Sequence, residues 1–224
     1  MKMTLLDFPG RVACTVFTAG CNLRCPFCHN AFLVTKLDPA HEFTHEEILD
    51  HLSKRKKVLD GVAVTGGEPL MYPDTIDFLR KIRALGYQIK LDTNGTYPER
   101  LKEILDEGIV DYVAMDVKNT PEKYAQTVGL KDFDPSPVLQ SIELLRGSGI
   151  DHEFRTTVVR QFHTAEDIVR IAQMLGRDEK YFLQNFVDSG NLIDGSVTGV
   201  DPSEMREMCE AARAFVPSVS LRGM

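Results

Sequence analysis

Residues 12–30 read VACTVFTAGCNLRCPFCHN, a β-rich apolar run followed directly by a loop that holds three of the chain's five cysteines. The apolar run is rich in valine, threonine and phenylalanine, which predicts a buried strand. The loop leaves the carboxyl end of that strand and places Cys21, Cys25 and Cys28 within eight positions. Thiols this close in sequence can converge on one metal centre, so we predict that this loop is the active site.

Two kinds of metal site fit the loop. Three thiolates leave one iron of a four-iron cluster without a protein ligand, and an open iron can bind a substrate. Alternatively, His29 completes a structural zinc site of three cysteines and one histidine. All the thiols lie in one tight loop and His29 directly follows Cys28, which is poor geometry for a closed zinc site and favours the cluster. Cys14 and Cys209 lie in apolar or helical contexts and are expected to be buried structural thiols.

The composition is that of a soluble globular protein. The chain has 224 residues, 43% hydrophobic and 26% charged, which predicts one domain over residues 1–224. A net charge of −7 argues against a nucleic-acid partner. No apolar stretch approaches the roughly 20 residues that span a bilayer, and Asp7 and Pro9 interrupt the start, so we expect no membrane contact. An odd cysteine count fits a reducing compartment, so a cytoplasmic protein is expected.

Strand and helix patterns alternate along the whole chain. Strands are predicted at 12–18, 62–65, 88–91, 112–115, 152–159, 181–186 and 218–221, and helices at 44–58, 74–85, 98–107, 136–146, 165–175 and 202–215. Six or seven strands that alternate with helices predict an α/β fold with a parallel sheet and right-handed crossovers. A closed eight-stranded barrel typically needs about 250 residues, so an open or partial barrel is expected.

Polar motifs follow three further strands in succession: Gly66–Pro69, Asp92–Gly95 and Asp116–Lys118. In α/β barrels the carboxyl ends of the strands hold the active site, so we expect these motifs to meet the cysteine loop. Two glycines let the backbone approach a ligand, and Glu68 presents a carboxylate to a cationic group. Taken singly, each motif is also an ordinary turn or loop sequence, and that interpretation stays open.

Three other polar residues are candidates by position. Arg155 lies on a predicted central strand, where a mostly buried charge needs a partner. Gln184 lies on the last long strand and either lines the site or satisfies backbone groups. Asp7 precedes a Pro-Gly turn and either belongs to the site or is a plain turn residue. The remaining histidines show no ligand spacing and are expected to be surface or satisfied core residues: His41, His45, His51, His152 and His163.

The cysteine spacing, with Phe27 before the last cysteine, resembles the signature of the radical S-adenosylmethionine enzymes. The following His29-Asn30 resembles the members that activate glycyl-radical proteins, and the resemblance covers most of the chain. It implies a partial (β/α)6 barrel, with a [4Fe-4S] cluster on Cys21, Cys25 and Cys28. S-adenosylmethionine would bind the open iron through its amino and carboxylate groups. One-electron reduction would then give methionine and a 5′-deoxyadenosyl radical that removes hydrogen from a glycine Cα on a partner enzyme.

The same resemblance implies roles for individual residues. Phe27 would lie beside the adenine ring and Glu68 would bind the methionine amino group. The remaining cofactor contacts would come from Gly66, Gly67, Asp92, Thr93, Asn94, Asp116, Lys118, Arg155 and Gln184. The partner peptide would meet Asp7, His29 and Arg155. The implied protein partners are a glycyl-radical enzyme and a flavodoxin- or ferredoxin-type reductant, under anaerobic conditions.

Other features of the sequence narrow the class of partner. No cysteine lies between Phe32 and Met208, so a ferredoxin-like insertion and an auxiliary-cluster region are not expected. The opening Asp7-Phe8-Pro9-Gly10 resembles the Asp-Tyr-Pro-Gly of anaerobic ribonucleotide reductase activators more than the Asp-Gly-Pro-Gly of pyruvate formate-lyase activators. Two alternatives stay open: a radical enzyme acting on a small molecule such as a modified-nucleobase precursor, and a non-enzymatic metal or electron-transfer module.

Overall fold

The strands form one sheet that follows the order of the chain from β1 to β8. The structure is a computed structural model and describes residues 2–36, 42–188 and 190–223. The strands are β1 Lys2–Thr4, β2 Ala13–Thr18, β3 Gly61–Gly66, β4 Gln88–Thr93, β5 Tyr112–Asp116, β6 Asp151–Val158, β7 Tyr181–Asn185 and β8 Ser220–Arg222.

Seven of these strands are parallel. β1 pairs with β2 in the antiparallel sense, and β2 to β8 pair in parallel, each with the next. Within the described residues β1 and β8 are the two edges of the sheet, so the barrel is not closed. This confirms the predicted partial barrel, in which the six longer parallel strands β2 to β7 correspond to the expected six units.

Helices connect the strands and cover one face of the sheet. They are α1 Ala31–Thr35, α2 His45–Ser53, α3 Thr75–Ala84, α4 Pro98–Asp106, α5 Pro121–Thr127, α6 Ser136–Ser148, α7 Ala165–Leu175 and α8 Pro202–Arg213. A short 3-10 turn, Pro69–Met71, follows β3. No helix in the described part of the chain is long and apolar enough to cross a membrane.

The two faces of the sheet have different character because side chains alternate along each strand. On β5, Val113 and Met115 are fully buried in the main core between the sheet and the helices. The alternate residues Tyr112 and Ala114 join a small inner cluster, and Asp116 lines a cavity at the strand's carboxyl end. The concave face therefore has a small apolar cluster towards the amino ends of the strands, and Asp116 adds a charge at the carboxyl end of β5.

An ion pair closes the amino-terminal end of the concave face. Glu153 on β6 is almost fully buried, and its carboxylate accepts two hydrogen bonds from the guanidinium of Arg222 on β8, at 2.7 and 3.0 Å. The hydroxyl of Tyr112 donates a third, at 2.8 Å. These contacts connect the short edge strand to the middle of the sheet.

The helix and strand predictions are largely confirmed, with differences at the short elements. The capping box at Thr44 and Glu47 is present at the start of α2. α6 was predicted to stop at Gly147, but it continues to Ser148 and ends where Gly149 adopts a φ of 70°. The prediction missed β1, α1 and α5, which have three, five and seven residues and therefore show too little periodicity.

Candidate active site

A cavity of about 440 Å3 opens at the carboxyl ends of the parallel strands. All but one of the predicted site residues line it: Asp7, Cys21, Cys25, Phe27, Cys28, His29, Gly66, Gly67, Asp92, Thr93, Asn94, Asp116, Lys118, Arg155 and Gln184. The exception is Glu68. We refer to this space as the cysteine cavity.

The three loop cysteines are the thiols of the cysteine cavity. The backbone N–H of Cys28 donates to the carbonyl of Cys25 at 3.1 Å, which forms a tight turn between them. Burial raises the pKa of the Cys25 thiol to about 12 and also raises the pKa of Cys21. Because thiolates bind metals, binding of a metal centre here must release protons. Cys14 and Cys209 are buried in the main core, as expected, and do not line the cavity.

The donor set fits a cluster better than a closed zinc site. The Nε2 atom of His29 lies 3.0 Å from the carbonyl oxygen of Val187, and its ring stacks on Phe186 with centroids 5.4 Å apart. These contacts hold the His29 ring against Val187 and Phe186. Among the described residues, no three His, Cys, Asp or Glu side chains are grouped closely enough to hold a single metal ion. Three thiols without a fourth protein ligand match the requirement of a four-iron cluster with one open iron.

The two glycines at the end of β3, Gly66 and Gly67, are required by the approach of the cysteine loop. The N–H of Gly67 donates to the carbonyl of Thr18 at 2.8 Å, and the N–H of Glu68 donates to that of Gly20 at 2.9 Å. A Cβ on Gly67 would lie 1.7 Å from the Gly20 oxygen. Gly66 has a φ of 117°, and a Cβ there would lie 2.4 Å from the Thr18 oxygen. The backbone after β3 therefore clamps the segment that leads into Cys21.

Substitution of Gly67 should test this clamp. Gly67→Ala forces a methyl group into the Gly20 carbonyl, and overpacking of this kind costs about 1–3 kcal/mol. We expect a lower free energy of unfolding in urea and less iron bound per chain after anaerobic reconstitution. Gly147→Ala is the matched control, since a Cβ there meets nothing within 4 Å in α6. Equal iron contents in the two variants would contradict the clamp.

Glu68 lies behind the wall of the cavity. Its side chain is fully buried, and its carboxylate accepts hydrogen bonds from Leu70 N at 3.0 Å, Thr93 Oγ1 at 2.8 Å and Asn94 N at 2.7 Å. Burial raises its pKa to about 7 even though these three bonds act in the opposite direction. The predicted contact with a cationic group stays a prediction, and in this structure the carboxylate bonds to these three protein groups.

The charged residues of the cavity form one array across three strands. Arg155 on β6 donates from Nε to Asp116 Oδ1 at 2.8 Å and from Nη1 to Asp92 Oδ2 at 3.4 Å. Lys118 donates from Nζ to the other oxygen of Asp116 at 2.9 Å. Lys90, which was not among the predicted site residues, is buried and donates a hydrogen bond to Asp92. The buried charge of Arg155 therefore has the partners that its position required.

The array fixes the ionisation of the Asp116 carboxylate. Burial alone would raise the pKa of Asp116, but attraction to Arg155 and Lys118 outweighs it and holds the pKa well below the usual range. The same attraction to Asp116 raises the pKa of Lys118 against the effect of burial. Asp116, Lys118 and Arg155 therefore stay charged across the neutral range, so the site presents fixed positive and negative charges to a polar ligand.

Asp7 lies at the exposed mouth of the cavity. Its Oδ2 accepts a hydrogen bond from Thr15 Oγ1 at 2.6 Å, which connects the turn to β2. The adjacent Phe8 is buried, and its ring lies 6.3 Å from that of Tyr112 in the inner cluster. The turn is therefore anchored by the buried ring of Phe8, while Asp7 itself is exposed.

Some lining residues were missed by sequence analysis: Leu23, Asn30, Val34, Thr65 and Thr157. The sequence positions of two of these residues could have indicated that they line the site. Thr157 is two positions after Arg155 on the same strand, so strand alternation places both on one face. Thr65 immediately precedes the glycine motif, and its hydroxyl donates to Asp92 at 3.1 Å.

The other histidines behave as expected where the structure describes them. The ring of His163 is buried, accepts from Val159 N at 3.1 Å and contacts the Lys118 carbonyl at 2.7 Å. His152 bonds to Glu179 at 2.6 Å, and His45 stacks on Phe78. His41 lies outside the described residues.

A second cavity, of about 480 Å3, lies beside the edge of β2 and is separate from the cysteine cavity. Its lining includes Phe17, Phe32 and Phe43, three partly exposed aromatic rings. None of the predicted site residues lines this second cavity. The candidate active site is therefore the cysteine cavity.

Comparison with known proteins agrees with this geometry. A profile of the Radical SAM superfamily matches residues 15–175. A Methanocaldococcus jannaschii protein provisionally named as a glycyl-radical enzyme activating enzyme is 30% identical over 99% of this chain and 93% of its own length. The pyruvate formate-lyase-activating enzyme of Clostridium pasteurianum is 35% identical over 59% of this chain and 58% of that enzyme.

A solved structure shows the same fold. Streptococcus suis SuiB bound to S-adenosylmethionine superimposes with a TM-score of 0.74 and 16% identity, over 94% of this chain and 50% of SuiB. The superfamily uses a [4Fe-4S] cluster and S-adenosylmethionine, and the three thiols of the cysteine cavity suit that cluster. Because the matched region contains these thiols and the strands from β3 to β6 that build the cavity, we conclude that the chain belongs to the radical SAM superfamily.

Proposed function

We propose that this protein is an activase that generates a glycyl radical on a partner enzyme, most specifically on an anaerobic ribonucleotide reductase. The observation that carries the proposal is the position of Asp7. Asp7 is exposed and lines the same cavity as the three thiols, which supports a role in receiving an incoming backbone segment. The relative that matches along almost the whole chain is provisionally named for this activity.

The residues of the cavity divide into two groups by their chemistry. Cys21, Cys25 and Cys28 would hold the cluster, and the array of Asp92, Asp116, Lys118 and Arg155 would hold the polar parts of S-adenosylmethionine. When bound, the cluster and S-adenosylmethionine would supply a one-electron cleavage that yields methionine and a carbon radical able to take a hydrogen atom. The protein's part is to orient the cofactor and to exclude water. Phe27, which is 3% exposed and packs against Phe162, adds an apolar wall for the adenine ring.

The choice of partner rests on the turn at Asp7-Phe8-Pro9-Gly10. An aromatic residue at position 8 is accommodated by an inner cluster that contains Tyr112, Ala13 and Ala114. A glycine at that position would leave this space empty. The turn is therefore built for the aromatic form of the motif, which supports a ribonucleotide reductase partner over one of the pyruvate formate-lyase type.

The electron must come from another protein. We propose a flavodoxin- or ferredoxin-type donor, because the cysteines outside the loop are single buried thiols with no cluster spacing. All five cysteines are free, which supports operation in a reducing cytoplasm.

The proposal is tested by electron paramagnetic resonance. The reduced, reconstituted protein is incubated with S-adenosylmethionine and one candidate glycyl-radical protein at a time. We expect a glycine-centred radical on anaerobic ribonucleotide reductase and none with the Cys25→Ala variant. A radical only on a pyruvate formate-lyase type protein would change the partner. Cofactor cleavage stimulated by a small molecule, with no protein radical, would favour the small-molecule alternative.

Replacement of Arg155 should weaken cofactor use. Arg155→Met removes the cation between Asp92 and Asp116, although Lys90 and Lys118 still pair with these carboxylates. Breaking a buried ion pair costs about 3–5 kcal/mol, and the two remaining lysines should keep the loss below that range. We expect roughly tenfold slower cofactor cleavage, because a displaced carboxylate misplaces the cofactor.

The matched control for this variant is Arg170→Met, which removes an exposed ion pair with Glu166 on α7. Cofactor cleavage by that control should stay unchanged. Normal cleavage in Arg155→Met, combined with loss of radical transfer, would instead assign Arg155 to the partner peptide.

A further inference from the structure

The loop after β4 reaches the sulfur of Cys21 through the side chain of Asn94. The Nδ2 atom of Asn94 lies 3.7 Å from Cys21 Sγ and 3.0 Å from Asn22 Oδ1. Asn94 is 6% exposed, so its amide group is enclosed by protein. Among the described residues, this is the one side-chain nitrogen that contacts a sulfur of the three loop cysteines.

The hydrogen bonds of Asn94 determine which end of its amide faces the sulfur. Its Oδ1 accepts from the backbone N–H of Thr96 at 3.0 Å and from the Thr96 hydroxyl at 2.6 Å. A flipped amide would place two donors against that N–H, so the observed orientation is the favourable one. Asn22 closes the ring by donating from Nδ2 to Thr96 Oγ1 at 2.9 Å. The N–H end is therefore held towards Cys21.

Glu68 holds the backbone of the same residue. Its Oε2 accepts from Asn94 N at 2.7 Å, while its Oε1 accepts from Leu70 N and Thr93 Oγ1. The carboxylate is fully buried and does not line the cysteine cavity. Glu68 thus joins the turn after β3 to the loop after β4, and Asn94 carries this connection to the thiol.

We propose that Glu68 is a positioning residue that acts through Asn94, and that the Asn94 amide raises the reduction potential of the cluster held by Cys21. Hydrogen bonds to the sulfurs of a cluster stabilise the reduced, more negative state. The backbone N–H of Leu23, 3.4 Å from the same sulfur, acts in the same direction. This inference depends on the cluster and is independent of the identity of any glycyl-radical partner.

The test uses two variants, each of which changes a different side chain in the hydrogen-bonded connection from Glu68 through Asn94 to Cys21. Asn94→Leu removes the amide donor and keeps the branched shape of the side chain. Glu68→Gln is isosteric, but it places an NH2 group against either Asn94 N or Leu70 N, so one of these backbone bonds is lost. The reconstituted proteins are titrated with reductant in the absence of S-adenosylmethionine, and the reduced cluster is quantified by electron paramagnetic resonance.

At a fixed potential, the ratio of reduced to oxidised cluster should fall about fivefold in Asn94→Leu, since one modest hydrogen bond to a charged group is lost. Iron content should stay at the wild-type level, because all three cysteines remain. Glu68→Gln should shift the ratio in the same direction by a smaller factor. The double variant should equal Asn94→Leu alone, because the two residues act in one chain.

Asn185→Leu is the control for general loss of a hydrogen-bonded amide. The partly buried side chain of Asn185 bonds to the backbone of Val200 and not to a loop cysteine, so the potential should not change. If Asn94→Leu binds too little iron to titrate, Asn94→Ser serves as the second variant, with the same predicted direction.

Three outcomes would overturn the proposal. An unchanged potential in both Asn94 variants would remove the role of the amide. Additive shifts in the double variant would mean that Glu68 and Asn94 act independently. An unchanged potential in Glu68→Gln, together with lost binding of S-adenosylmethionine, would place the carboxylate in direct contact with the cofactor.

Discussion

Alanine at Cys21, Cys25 or Cys28 is expected to abolish reductive cleavage of S-adenosylmethionine. Each substitution leaves two thiols where a cuboidal cluster needs three, so the electron donor is lost or unstable. The wild-type protein, prepared without oxygen, should be brown and contain about four irons and four sulfides per chain. Iron analysis and quantification of 5′-deoxyadenosine in each variant give the result directly.

The chain supplies its own controls for this experiment. Cys14 and Cys209 are buried in the main core and do not line the cavity, so Cys14→Ala and Cys209→Ala should keep iron and cleavage largely intact. Loss of the cluster in Cys14→Ala would show that the three-ligand assignment is wrong. One zinc per chain with no recoverable iron would support the metal-module alternative.

Removal of the Asp7 carboxylate should separate the two activities of the protein. We expect Asp7→Ala to retain slow, uncoupled cleavage of S-adenosylmethionine while losing about a hundredfold in glycyl-radical formation, because a misplaced substrate backbone costs that much in rate. The residue is at the exposed mouth, held by Thr15, and makes no contact with the charged array among the described residues. Both activities are measured in one reaction, by product chromatography and electron paramagnetic resonance.

The interpretation of this variant depends on the ratio of the two activities. Equal loss of both would place Asp7 in the cofactor site and remove the argument for a peptide-binding mouth. Unimpaired radical formation would make it a turn residue only. Thr15→Val is the supporting variant, because it removes the hydrogen bond that orients the Asp7 carboxylate and should give a weaker form of the same uncoupling.

The regular part of the fold could be predicted because the longer parallel strands are mostly buried, β-rich segments that alternate with amphipathic helices. β3 spans Gly61–Gly66 where the sequence predicted 62–65, and α7 has the predicted limits. The short elements could not be predicted from periodicity. α5, for example, lacks a side-chain cap and is stabilised by tertiary contacts of Tyr124 and Thr127, both of which are buried.

The site was predictable to the extent that each motif ends a strand, since carboxyl ends of parallel strands meet at one edge. Lys90 was not, because its inward direction is set by the phase of β4, in which it alternates with the core residues Ile89 and Leu91. Nor could the sequence show that Glu68 accepts hydrogen bonds from Thr93 and Asn94, which lie 25 and 26 residues later. Such a long-range partner has no local signature in the sequence.

The most direct test of the central claim follows a hydrogen atom from the partner to the cofactor. The candidate ribonucleotide reductase is prepared with glycine deuterated at Cα and incubated anaerobically with the reduced protein and S-adenosylmethionine. The proposed function predicts that deuterium appears in 5′-deoxyadenosine, in an amount that matches the glycyl radical formed. Unlabelled 5′-deoxyadenosine, produced at the same rate with or without the partner, would contradict it.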